Sequence, residues 1–195
     1  LTAVSPALAE RRVALVIGNS AYRVGPLANP GRDATAVARA FNELGFDKVI
    51  LKTDLSAEEM KAALGEISRE SNGADIAVIY YAGHGTERDG RNFLIPVDAK
   101  LERASDLDLQ TIALTTVIDQ ISGATRLKLV ILDACRNNVF PLAGSKRAVT
   151  RGLARVEPED NTLVVYAAKE GTVAEDGSGR QHSPFTAALA REQDI

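Results

Sequence analysis

The only cysteine of the chain, Cys135, closes an apolar run of strand type, Leu127-Lys128-Leu129-Val130-Ile131-Leu132-Asp133-Ala134-Cys135. His84 stands 51 residues upstream, in Ala82-Gly83-His84-Gly85, directly after a second such run from Ile76 to Tyr81. A cysteine thiolate is a strong nucleophile, and an imidazole carries a proton at neutral pH. One thiol and one imidazole, each at the carboxyl end of a predicted buried strand, make a candidate nucleophile and base. In open α/β sheets ligands bind beyond the carboxyl ends of the strands, so both groups would reach one crevice.

Each residue also has a plainer reading. A free cysteine packs well as a small hydrophobe. Here, however, Cys135 follows the apolar run and lies between Asp133 and Arg136. That is a polar setting, in which the arginine favours the thiolate. A histidine between glycines would also suit a surface turn or a backbone-satisfied core site. Gly83 and Gly85 remove side-chain bulk on both sides of it, which would let a substrate backbone approach. The amide of Gly85 would then point at a developing oxyanion.

The rest of the chain must place these two residues. Its 195 residues suit one domain with a sizeable core. A content of 45% hydrophobic and 25% charged residues is ordinary for a globular protein. A net charge of −3 gives no support for nucleic-acid binding, and no apolar run approaches a membrane span. One cysteine and two histidines exclude an internal disulfide and leave no zinc ligand set.

Strands are expected at Arg12 to Gly18, Lys48 to Lys52, Asp75 to Tyr81, Leu127 to Leu132 and Asn161 to Tyr166. Helices are expected from about Asp33 to Gly45, from Ser56 to about Glu70, over Thr115 to Ile121 and after Ser183-Pro184. Ser56 with Glu59 has capping-box spacing, and Asp89-Gly90 suits a hairpin with a primed turn. Strands alternating with helices, each strand apolar throughout, predict a three-layer αβα sandwich around a mostly parallel sheet of about six strands. Leu1 to Ala9 end in Ala7-Leu8-Ala9, the small-residue pattern of a signal-peptidase site, and read as a signal-peptide remnant or a disordered tail. The first reading implies export, to the periplasm in a bacterium, and the second leaves a cytoplasmic location.

Caspases carry Q-A-C-[RQG]-G with a histidine about 50 residues upstream. This chain has Asp133-Ala134-Cys135-Arg136-Asn137 at that distance from His84, and so resembles the caspase-like cysteine peptidases, most closely their bacterial metacaspase-like or orthocaspase group. The resemblance extends over Val13 to Asn19, Leu27 to Pro30 with Asp33-Ala34, Tyr80 to Gly85, Ile131 to Asn138, Tyr166 to Ala168 and Ser183 to Thr186, in the family's order. It implies a caspase-like fold and a catalytic domain over residues 10–195. Within it would lie a large-subunit-like part (10–140), a basic linker (141–158) and a small-subunit-like part (159–195). It implies a Cys135/His84 dyad, with the amides of Gly85 and Cys135 holding the oxyanion and no third catalytic residue.

The resemblance also bears on specificity. Caspases have glutamine where this chain has Asp133, within a pocket for aspartate. Asp33 aligns with a second pocket acid of metacaspases, and Ala82 stands where some of them have serine. Two carboxylates with Ala82 would form a pocket for arginine or lysine at P1, the residue before the scissile bond, with arginine favoured by its planar fork. Alternatively Asp133 orients local backbone or pairs with Arg136, and Asp33 is a helix N-cap. His182 stands where relatives often have asparagine and reads as part of a loop. The linker holds Lys146, Arg147, Arg151 and Arg155, where caspases are cut, so self-cleavage is expected there.

No cofactor is required by the residues. Metacaspases often need Ca²⁺, but Asp98, Glu102, Asp106 and Asp108 do not match a ligand set and read as a solvated acidic loop. The expected partners are protein or peptide substrates with a basic P1 residue, acted on by a monomer. The reading from another class is a catalytically weak caspase-like interaction module.

Overall fold

The computed structural model describes residues 10–135 (Cys135 by its backbone), 153–154, 156, 161–166 and 186. Leu1 to Ala9, Arg136, the four linker cations, His182 and the helix expected after Ser183-Pro184 lie outside the described residues, apart from Thr186, which is helical.

The apolar runs form strands β1 (Arg12–Gly18), β2 (Lys48–Thr53), β3 (Ile76–Arg88), β6 (Leu127–Cys135) and β7 (Thr162–Tyr166). They pair in parallel in the order β2-β1-β3-β6-β7. Two short strands, β4 (Arg91–Leu94) and β5 (Ile112–Ala113), extend the sheet antiparallel along the far half of β3. The αβα sandwich around a mostly parallel sheet expected from the sequence is therefore present, with seven strands among the described residues.

Strand alternation sorts the core into two faces. Ala14, Val16, Val78, Tyr80, Ala82 and Ile131 pack against Ala34, Val37, Ala38 and Phe41 of helix α1 (Pro30–Glu43). Leu15, Ile17, Ile79, Tyr81 and Val130 pack on the opposite face against helix α2 (Ala57–Ser71) and, through Leu114 and Val117, helix α4 (Leu114–Asp119).

Helix α1 begins a turn before Asp33 because Pro30 takes the first position. There its missing N–H costs nothing and its fixed φ is already helical. Gly45, at φ 75°, ends the helix as expected. At the start of α2, Ser56 Oγ accepts from the Glu59 amide at 3.3 Å and Glu59 Oε2 accepts from the Ser56 amide at 2.9 Å. The Ser56 hydroxyl also donates to Glu59 Oε2 at 2.6 Å, and this bond first, then that of the Ser56 amide, holds the Glu59 carboxyl below its ordinary value. Asp98 Oδ1 takes a further amide, that of Ala57, at 2.9 Å. Ser56→Ala is expected to lower the thermal midpoint by about 2–4 °C, measured by circular dichroism.

Two strands run further than their composition indicates. β3 continues to Arg88 rather than stopping at Tyr81, and β6 continues to Cys135 rather than stopping at Leu132. The cysteine thus closes its strand from within. Gly83-His84-Gly85 reads as a turn, but neighbouring strands supply ladder partners and keep it extended. Asp89 (φ 51°) and Gly90 (φ 77°) then turn the chain between β3 and β4. Two consecutive positive φ angles are the mark of the primed turn expected there. Helix α3 (Asp106–Gln110) and β5 have no counterpart in the sequence expectations. Both are too short to show a period.

Candidate active site

β1 connects through α1 to β2 on one side, whereas β3 lies on its other side. Connections leave the sheet in opposite directions at β1 and β3, which opens a crevice at their carboxyl ends. Gly18, the last residue of β1, pairs with Ala82. Cys135, the last of β6, pairs with His84, and from Gly85 onward β3 pairs antiparallel with β4. His84 therefore sits where the sheet changes from parallel to antiparallel partners. Neighbouring strands lie about 4.8 Å apart, so His84 and Cys135 are side by side at the sheet end. Alternation puts them in the same class of positions as Ala82 and Asp133.

The segment after β1 folds over this end. Asn19 donates its amide to Ala82 O at 2.9 Å, and Asp54, at φ 54°, accepts from the amides of Ser20 (2.7 Å) and Ala21 (2.9 Å). So anchored, the segment brings Tyr22 and Gly25 to His84. The imidazole is buried, with Nε2 at 2.6 Å from the Gly25 carbonyl oxygen. A carbonyl only accepts, so Nε2 carries the proton and Nδ1 is the basic nitrogen of the neutral ring. The Tyr22 ring lies against the imidazole, centroids 4.4 Å apart and planes at 55°.

The glycine before His84 has a different cause from the expected one. A β-carbon on Gly83 would lie 2.5 Å from Tyr22 Oη and 2.8 Å from Tyr81 Oη. One on Gly85 would lie 3.3 Å from Leu153 Cδ2 and 3.4 Å from Ala134 Cβ. Gly83 is thus required by contacts inside the protein, whereas at Gly85 a β-carbon would press only on the end of the Leu153 side chain.

Asp33 and Asp133 arrive from different elements. Asp33 lies inside the first turn of α1 and is buried, while the N-cap position belongs to Asn29, so the N-cap reading of Asp33 is replaced. Its carboxylate suits the positive end of the helix dipole. The α1 start can approach because Gly18 has no side chain, and a β-carbon there would collide with the Pro30 carbonyl and the Ala34 methyl. Asp133, on β6, pairs with Ala82, and both are buried. Asp133 Oδ2 lies 3.1 Å from Tyr80 Oη and 3.2 Å from Thr186 Oγ1, and these two hydroxyls are 3.0 Å apart. Burial first, then the charges of Asp133 and Asp33, push the Tyr80 hydroxyl well above its ordinary value. It stays a neutral donor at physiological pH. Asp133 reaches this phenol directly, and Asp33 lies on the helix that packs on the same face of the sheet as Tyr80 and Ala82.

The acidic stretch is committed to local structure. Asp98 caps α2, Asp106 Oδ2 accepts from the amides of Glu102 (3.0 Å) and Arg103 (2.7 Å), and Asp108 pairs with Arg91 at 2.9 Å. Among the described residues no cluster of histidine, cysteine and acids could hold a metal ion. No helix of the described residues is long and apolar enough to cross a membrane. A cleft of about 470 Å³ between α2, β4–β5 and α4 includes Lys61, Leu64, Phe93 and Ile112 in its lining and none of the candidate site residues.

Sequence reasoning missed Tyr22, Gly25, Asp54, Tyr80, Tyr81 and Thr186. The two tyrosines of β3 read as strand core, and a backbone carbonyl such as that of Gly25 leaves no trace in residue type.

A match of 130 residues relates the chain to the mucosa-associated lymphoid tissue lymphoma translocation protein 1 of Homo sapiens, at 35% identity, and to its Mus musculus homolog, at 34%. The match covers 66% of this chain and 15% of each relative, so the chain spans a small part of the proteins it resembles. The family model of the caspase domain, peptidase family C14, matches residues 11–193. Its extent takes in the sheet, the His84–Cys135 strand end and the Asp33–Asp133 pair together, and the chain belongs to the caspase domain family of peptidases.

Proposed function

We propose that the protein is a cysteine endopeptidase that cleaves after arginine or lysine with Cys135 as nucleophile and His84 as acid and base. The observation that carries this reading is the 2.6 Å contact of His84 Nε2 with the Gly25 carbonyl, next to Cys135 on the paired strand. It makes Nδ1 the acceptor for the thiol proton. The thiolate attacks the scissile carbonyl, and the amides expected to hold its oxyanion, those of Gly85 and Cys135, serve the β3–β6 ladder in this structure and would have to turn out of it to do so. The imidazolium then gives its proton to the leaving amine. In the second half, water loses a proton to Nδ1, attacks the thioester and releases the acid product and Cys135.

Asp33 and Asp133 supply the charge for a cationic P1 side chain, and Ala82 between the strand ends supplies room. An acidic P1 residue would meet two carboxylates and be rejected. The scheme uses no cofactor, and Ca²⁺ enters only as an effector to be measured.

The test is hydrolysis of matched fluorogenic peptides with arginine, lysine, citrulline or aspartate at P1, with and without Ca²⁺. Fastest turnover after arginine, slower turnover after lysine and little after the other two supports the reading. Faster cleavage after aspartate overturns the pocket, and no cleavage of any peptide favours an interaction module.

A further inference from the structure

The hydroxyl of Tyr22 accepts from the His84 amide at 2.9 Å, and that of Tyr81 donates to the His84 carbonyl at 2.8 Å. The two hydroxyls are 3.1 Å apart, and each lies 3.0 Å from the carbonyl oxygen of Ile95, whose own amide donates to His84 O at 3.0 Å. Both peptide groups of His84 are thus gripped by side chains from two elements. The ring of Tyr22 covers the imidazole on one side, and Gly25 of the same segment holds Nε2. Gly83 is kept small by these same two hydroxyls.

At this point the parallel ladder has run out on the β1 side, since β1 ended opposite Ala82. The His84 N–H would otherwise face no strand. Tyr22 Oη stands in for the missing backbone acceptor, and Tyr22 is buried. Water therefore competes little for the bond, and the low local dielectric strengthens it.

We propose that Tyr22 is a positioning residue for the base: its hydroxyl fixes the His84 main chain and its ring fixes the plane and charge state of the imidazole. The inference rests on the endopeptidase reading above and adds a residue to it. The two parts of Tyr22 have separable effects. A misplaced base slows proton transfer but leaves substrate binding intact, so the hydroxyl acts on kcat rather than KM. An aromatic ring packed against the imidazolium favours its charged form, so losing it would move the acidic limb of the pH–rate profile to lower pH. Among the described residues, Tyr22, Tyr81, Cys135 beside it on β6 and Asp133 two residues earlier are titratable groups near His84. Burial first, then Tyr22, keeps Tyr81 well above the ordinary tyrosine value, so it does not titrate in the working range.

The experiment compares wild type, Tyr22→Phe and Tyr22→Leu on an arginine-P1 peptide across pH, with thermal midpoints measured for each. Tyr22→Phe is expected to lose about 10- to 100-fold in kcat with KM within about twofold and the acidic limb unmoved. Tyr22→Leu is expected to lose more and to move the limb down. A Tyr22→Phe enzyme with wild-type kcat overturns the proposal, as does a loss that tracks the fall in thermal midpoint in both variants with no movement of the limb. A wild-type chain that cuts no peptide overturns the endopeptidase reading itself, and this inference with it.

Discussion

Cys135→Ala is expected to abolish turnover of an arginine-P1 peptide, a loss of about 10⁴-fold or more, with the fold intact. Alanine removes the sulfur and nothing that the sheet needs, because Cys135 ends β6 and its backbone keeps its place beside His84. His84→Ala should cost nearly as much, and the double variant little more than either single one, since nucleophile and base act as a unit. His84→Ala has a second readout. At neutral pH it should alkylate with iodoacetamide more slowly than wild type, because the thiol has lost its proton acceptor. Equal alkylation rates with activity lost would mean that His84 acts after attack, on the leaving group alone. Residual hydrolysis in Cys135→Ala above about a tenth of the wild-type rate would remove Cys135 from the nucleophile role.

Asp133→Asn is expected to reduce kcat/KM for the arginine-P1 peptide by about two to three orders of magnitude, the usual scale for breaking one side of a buried, hydrogen-bonded charge pair. Asparagine is the right probe because its amide oxygen still accepts from the Tyr80 and Thr186 hydroxyls that now meet Oδ2. The charge goes and these two bonds stay. A citrulline-P1 peptide has the shape of arginine without its charge, so its weak cleavage should change little. The arginine-to-citrulline ratio should therefore collapse. If both peptides lose the same factor, Asp133 supports the strand end and does not read the substrate. Asp33→Asn should act in the same direction, since both acids bear on Tyr80 from opposite elements.

The sequence carried the sheet and the strand-end placement of His84 and Cys135, for a physical reason. The central parallel strands β1, β3 and β6 are buried and so stand out as apolar runs whose ends mark the crevice, while the edge strands β2 and β7 are half-exposed and show by their β-branched residues. Capping at Ser56 and Glu59 and the turn at Asp89-Gly90 are local, and local signals are legible. What was not legible is non-local. Gly-His-Gly looks like a turn until β4 and β6 are known to flank it. That Gly83 must be small for its own neighbours shows only once the tyrosine hydroxyls are placed. Asp33 looks like a cap until Pro30 is seen to open the helix before it. The clamp on His84 joins residues 22, 25, 81 and 95, and its bonds use atoms that every tyrosine or every peptide group possesses.

That non-local clamp ties competence to the fold as a whole. The Tyr22 and Gly25 contacts of His84 span 62 and 59 residues of chain. Contacts of such separation carry a loop-closure cost, and a surface segment that makes them can open locally without unfolding the sheet. An emerging or partly unfolded chain would hold its thiol and imidazole in sequence but lack the carbonyl that assigns the ring its proton. Undocking of the short segment after β1 would disarm the base while the sheet stayed whole. If the chain cleaves peptides as proposed, docking of this segment is what arms the base, and a chain in which it is undocked would not cut.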